Sequence, residues 1–227
     1  MTRSSILFSS LWLVSTIAAP ALAQSPVSSA APQDSTLEGR LREFVSCCEG
    51  GVPYGTAHAF GPKALPILAQ MLNDEAYRKH WTWIVTTIGF VGGDESFEIL
   101  HTFLLDRFSG EVGDAVGALA GTVSVMGMTR APKAERFLIE RVNPDAWKDV
   151  RWSFSPHQPA SLHVLLSRAA INGLSYLGNE RAANVLAELE KRPYASTQMA
   201  NIKEGIRRNL EVGSKGWDEY VRGISNR

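Results

Sequence analysis

The chain has 227 residues, 44% of them hydrophobic and 20% charged, with 23 basic side chains against 23 acidic ones. That length and composition are ordinary for one globular domain with its own core. Near-neutrality removes the overall field with which a protein collects DNA, RNA or anionic membrane, so nucleic acid is not an expected partner.

The N-terminus reads as an export signal. Arg3 supplies a positive charge, Ile6 to Ala18 form a mostly apolar run, Pro20 breaks it, and Ala21-Leu22-Ala23 is a small-x-small cleavage site. The run falls short of the roughly 20 residues that a membrane-spanning helix needs, so a permanent anchor is the weaker reading. No cysteine follows the run to accept a lipid. Residues 1–23 are expected to be a secretory signal peptide. The mature chain, from Gln24, is then expected to be periplasmic or secreted, with no transmembrane anchor after signal removal. Residues 24–36 are rich in Ser, Ala and Pro without an apolar period, which predicts a flexible leader.

Residues 37–227 form the expected folded domain. Leu37, Leu41, Phe44, Val45 and Cys48 fit one stripe of an N-terminal capping helix that closes at Gly50-Gly51. Beyond it, four segments align without gaps: Pro62 to Leu72, Asp94 to Leu104, Pro132 to Val142 and Glu180 to Glu190. Their third position is small (Ala64, Ser96, Ala134, Ala182) and their seventh is leucine (Leu68, Leu100, Leu138, Leu186). A glycine lies near each start: Gly61, Gly93, Gly127 and Gly178.

Ahead of three of these glycines run apolar stripes with spacings of three and four. They are Trp83, Ile84, Thr87, Ile88 and Val91; then Val116, Leu119, Ala120 and Val123; then Leu162, Leu165, Leu166, Ala169, Gly173, Leu174 and Leu177. Such spacing buries one face of a helix. The unit is thus two helices joined at a glycine, which supplies the left-handed residue that ends the first. A small third residue lets the pair approach closely, and stacking buries what one pair cannot. At the C-terminal end Met199, Ile202, Ile206 and Leu210 fit a further stripe, followed by Trp217, Tyr220, Val221 and Ile224 on a short last helix.

Gly61-Pro-Lys-Ala-Leu-Pro-Ile-Leu68, Ile88-Gly-Phe-Val-Gly-Gly-Asp-Glu-Ser-Phe-Glu-Ile-Leu100 and Tyr176-Leu-Gly-Asn-Glu-Arg-Ala-Ala-Asn-Val-Leu186 resemble the short HEAT-like repeats also found in phycobilin lyases. The third copy departs, with Met128-Thr-Arg-Ala131 lengthening its turn. The resemblance covers Gly55 to Pro193. It implies an all-α fold, a short solenoid wound as a right-handed α-α superhelix of the armadillo type with helical caps. An unrelated helical bundle with chance periodicity is the alternative. For function it implies little.

Chemistry leaves few traces. There is no Gly-Lys dipeptide for a P-loop, no Gly-x-Ser-x-Gly and no Ser-x-x-Lys. None of the five histidines is followed by glutamate, so the His-Glu pairs of HEAT-repeat di-iron hydroxylases are missing. Glu98-Ile-Leu-His101 sets a carboxylate and an imidazole one turn apart, a weak metal candidate because a di-iron bundle needs two such pairs and two further carboxylates. An exposed polar helix edge is the competing reading, and no cofactor is expected. Cys47-Cys48, the only cysteines, are redox candidates with three readings open: a buried inert pair, a vicinal disulfide, or an intermolecular link.

Two aromatic clusters stand out as partner-binding candidates. Asn143 to Ala160 lengthens the spacing before the fourth copy and carries Trp147, Arg151, Trp152, Phe154 and His157. Insertions in a solenoid map to one face, often the binding face, and Trp and Arg are frequent hot-spot residues. The competing reading folds both Trp rings back over an edge between repeats. In His80-Trp81-Thr82-Trp83 the two rings lie about 200 degrees apart around a helix. Trp83 belongs to the apolar stripe, and Trp81 is the ring expected on a groove or helix end. Lys203, Arg207 and Arg208 read as a solvated face.

The function expected from these features is an exported scaffold or adaptor that holds a protein or peptide partner in the cell envelope. An envelope enzyme, or a small-ligand or metal-binding protein with an unfamiliar site, is the alternative.

Overall fold

The computed structural model describes residues 36–47, 51–106, 116–148, 159–193 and 196–225. They belong to one compact unit, Asp34–Arg227. The expected signal, and the leader up to Ser35, lie outside the described residues. Among the described residues every regular element is helical, and no helix is long and apolar enough to cross a membrane.

In chain order the helices are α1 (Leu37–Cys47), α2 (Tyr54–Phe60), α3 (Leu65–Asn73), α4 (Trp81–Val91), α5 (Gly93–Asp106), α6 (Val116–Met126), α7 (Pro132–Arg141), α8 (Pro159–Ser175), α9 (Glu180–Glu190), α10 (Ser196–Lys215) and α11 (Trp217–Ser225). They pack in two rows. Helices α2, α4, α6, α8 and α10 lie side by side in the first, and α3, α5, α7 and α9 in the second. Each second-row helix from α3 to α9 also touches the first-row helix that follows it.

The four aligned segments account for the second row. Leu68, Leu100, Leu138 and Leu186 are all 0% exposed, as are Ala64, Ser96, Ala134 and Ala182 at the third position. The leucine fills the space between rows, and the small residue lets the helix start lie against its neighbour. Ser96 adds a hydroxyl that donates to Gly92 O at 2.8 Å, so its burial leaves no orphan donor. The helix starts carry the expected chemistry: Pro132 opens α7, and Asn179 accepts from Ala182 N at 2.9 Å to cap α9.

The first row is held by closer contacts. A Cβ built on Gly127 would lie 1.9 Å from Gly173 O, so the turn after α6 meets the backbone of α8 directly. Gly127 is therefore not the left-handed helix terminator expected of it. It adopts a tight 3-10 turn, Gly127–Thr129, and Arg130 takes the left-handed position with φ 57°. The turns at Gly92 and Gly178 do place glycine at positive φ, 79° and 64°.

Two other expectations shift. On α10 the buried stripe runs through Ile202, Gly205, Asn209 and Val212, while Leu210 is 61% exposed. The helix is rotated so that Asn209 donates to Leu174 O at 3.2 Å, which satisfies that buried amide and turns Leu210 outward. In α4 it is Trp81 that is buried, at 4% exposure, whereas Trp83 is only half-buried. The 3-10 turn Glu75–His80 delivers the chain so that Trp81 starts α4 with its ring edge-on to Phe103, 5.4 Å between centroids.

The Gly127–Gly173 contact gives a direct test. Gly127→Ala is expected to cost about 3 kcal/mol or more in urea unfolding, because the two backbones must separate. Gly121→Ala, on the same α6 with nothing within 4 Å of the added carbon, should instead gain about 0.5 to 1 kcal/mol.

Candidate functional site

Of the binding candidates in the long connection, Arg151, Trp152, Phe154 and His157 lie outside the described residues. Trp147 lies inside them and is 0% exposed. Its indole donates to Arg141 O at 2.9 Å, its ring meets Phe137 at 6.1 Å, and Arg141 lies over its face at 5.3 Å. The 3-10 turn Pro144–Trp147 also packs against α8. Trp147 is thus a core plug between α7 and α8, and it presents no surface to a partner. Trp81 is also largely buried, its ring between Phe103 and Arg78, but it still lines a surface cleft of about 510 Å³ with Glu75, Lys79, Thr82 and Gly117.

The two metal candidates have different partners. Glu98 forms an exposed ion pair with Lys133 of α7, which holds its carboxyl below the usual range. His101 instead stacks on Phe97 at 5.4 Å and meets Phe137 edge-on at 5.2 Å. Among the described residues no three His, Cys, Asp or Glu side chains form a group able to hold a metal. Cys47 is an exposed free thiol on the last residue of α1, and Cys48 lies outside the described residues. Of the basic run on α10, the two arginines are engaged locally. Arg207 pairs with Glu204 and Glu211, and Arg208 pairs with Glu204 and lies 5.0 Å over the Tyr176 ring.

Two further surfaces among the described residues combine apolar side chains with polar groups. The first is a cleft of about 440 Å³ between α3 and α5 in the second row. Leu72, Ile99 and Phe103 give it an apolar floor, and Asn73, Glu98 and Thr102 a polar rim. An apolar floor with convergent polar groups is the usual make-up of a recognition groove.

The second is the turn edge, where first-row helices end. Tyr54 of α2, Phe90 of α4, Met128 after α6 and Tyr176 after α8 gather there around α11. Trp217, Tyr220 and Val221, spaced i, i+3 and i+4, insert between them at 6%, 7% and 5% exposure. Tyr54 meets Phe90 at 5.2 Å and Trp217 at 6.3 Å, and Trp217 meets Tyr176 at 5.9 Å. Each of the three inserted side chains is worth about 1.5 to 3 kcal/mol of burial. Beside them Arg130, Lys215, Asp218, Glu219 and Arg222 line a polar cleft of about 540 Å³.

Sequence reasoning missed this edge. Its signal was positional: Phe90 and Tyr176 each stand two residues before a turn glycine, Gly92 and Gly178. No protein-family model, no curated protein and no solved structure matches the chain.

Tyr54 carries the edge's one large electrostatic perturbation among the described residues. Its hydroxyl donates to Asp218 Oδ1 at 2.5 Å. Burial first, then the hydrogen bond to Asp218 and its charge, push the phenol up to about 12, with Arg222 and Arg130 opposing. A raised value in the folded state means stabilisation that holds below pH 10 and is lost as pH rises from 10 towards 12. Urea titrations across that window should show wild type losing about 2 to 3 kcal/mol more than Tyr54→Phe. At pH 7 the same substitution should cost about 1 kcal/mol.

Proposed function

We propose that this chain is a protein-interaction scaffold exported to the bacterial cell envelope, built from HEAT-like helical pairs stacked as a short right-handed superhelix. The observation that carries the reading is the apolar-floored cleft between α3 and α5, open on the second row of helices. In stacked-hairpin proteins one row of helices lines an extended recognition surface, and such surfaces hold peptides and other proteins. The pairing of rows, in which each second-row helix contacts the next first-row helix, supports the repeat reading. The apolar run and Ala21-Leu22-Ala23 support export.

The scaffold takes its partner by burial on the cleft floor and by rim hydrogen bonds with Asn73, Thr102 and the Glu98 carboxylate, which accepts. No catalytic step is assigned to these residues.

Two measurements test the reading. A photo-crosslinking residue at Thr102, introduced in living cells, should capture one dominant envelope protein or peptide, while the same residue at exposed Glu190 of α9 should not. Equal labelling at both sites, or none at Thr102, would refute the cleft. N-terminal sequencing of the envelope fraction should find chains that begin at Gln24; full-length chains confined to the cytosol would refute export.

A further inference from the structure

The short helix α11 sits on the turn edge in the manner of a bound peptide. Its apolar contacts form a cluster of their own, Tyr54, Val212, Trp217, Tyr220 and Val221, distinct from the core that binds the two rows together. It packs on α10 and α2, the two ends of the first row, so it bridges elements far apart in the chain. It joins α10 through Gly216, whose φ of 80° is a left-handed conformation that glycine adopts without strain. A nine-residue helix has little stability in isolation, so α11 is ordered only while docked. Its departure would uncover Tyr54, Phe90, Met128 and Tyr176, an aromatic and methionine surface of the kind that receives amphipathic helices.

The geometry points to the turn edge as a helix-binding site, with α11 as its resident occupant in competition with a partner helix. The recognised chemistry is the one α11 itself shows: Trp, then an acidic residue, then an aromatic and a β-branched residue at i+3 and i+4 from the Trp. The Trp enters between Tyr54 and Tyr176, and the acidic group accepts from the Tyr54 hydroxyl beside Arg130. This assignment deepens the scaffold reading and rests on it for the existence of a protein partner.

The test uses the full chain and a fluorescent peptide with the sequence of residues 215–225. Trp217→Ala/Tyr220→Ala in the protein empties the site, so the peptide should bind that variant about tenfold or more tighter than wild type. A peptide with its own Trp217→Ala should lose the binding. Asp218→Asn in the protein, which weakens only the polar contact, should give a smaller gain. Hydrogen exchange of wild type should show α11 amides opening about a hundredfold faster than those of α8.

Equal peptide affinity for wild type and both variants would overturn the proposal. So would α11 exchange at the rate of global unfolding, or dimers formed by mutual exchange of α11. Peptide binding with no capture at Thr102 would instead refute the α3–α5 cleft as the partner surface and leave the helix site standing. Capture at Thr102 without peptide binding would do the reverse.

Discussion

Backbone meets backbone where Gly127, after α6, lies against Gly173 of α8, and that contact sets how closely these two first-row helices pack. With no side chain between them, the two helices approach closely enough for Leu138 to reach across from α7, where its methyl carbons fall 2.8 and 3.0 Å from a Cβ built on Gly173. The same closeness lets Ser124 of α6 donate to Ala169 O of α8 at 3.2 Å. Further along the row, Gly213 of α10 lies against the Gly178 carbonyl, so the last first-row helix is set by a second close approach. A side chain at either crossing would splay the first row and open the layer of leucines beneath it.

Using Gly127 for contact has a consequence at its turn. The left-handed residue that ends the connection is Arg130, a conformation that costs an L-residue about 1 to 2 kcal/mol. That residue lies in the cleft beside Asp218 and Arg222. The turn that departs most from the other repeats is thus the one that brings a guanidinium to the edge covered by α11.

The charged residues do different work from the core. Ion pairs such as Glu98–Lys133 and Arg181–Glu135 link neighbouring second-row helices, and Arg207 braces its own helix against Glu204 and Glu211. Exposed pairs of this kind contribute little stability. They do balance the surface, which accords with the neutral composition.

The amino-acid sequence by itself determined the all-helical class and the positions of most helical faces. A helical face is a local pattern, so the small and leucine positions of the second row, the apolar stripes of the first and the short last helix could all be read from spacing. Only tertiary structure decided which side chains those helices hide at their ends. Trp147 is buried because its turn folds back on α8; Trp81 replaces Trp83 in the core because a 3-10 turn sets where α4 begins. Leu210 is exposed because the buried Asn209 amide fixes the rotation of α10. The turn edge was least legible, since Tyr54, Phe90, Met128, Tyr176 and Trp217 are scattered along the chain. Periodicity reports one helix at a time, whereas a surface made from the ends of many helices exists only once they are stacked.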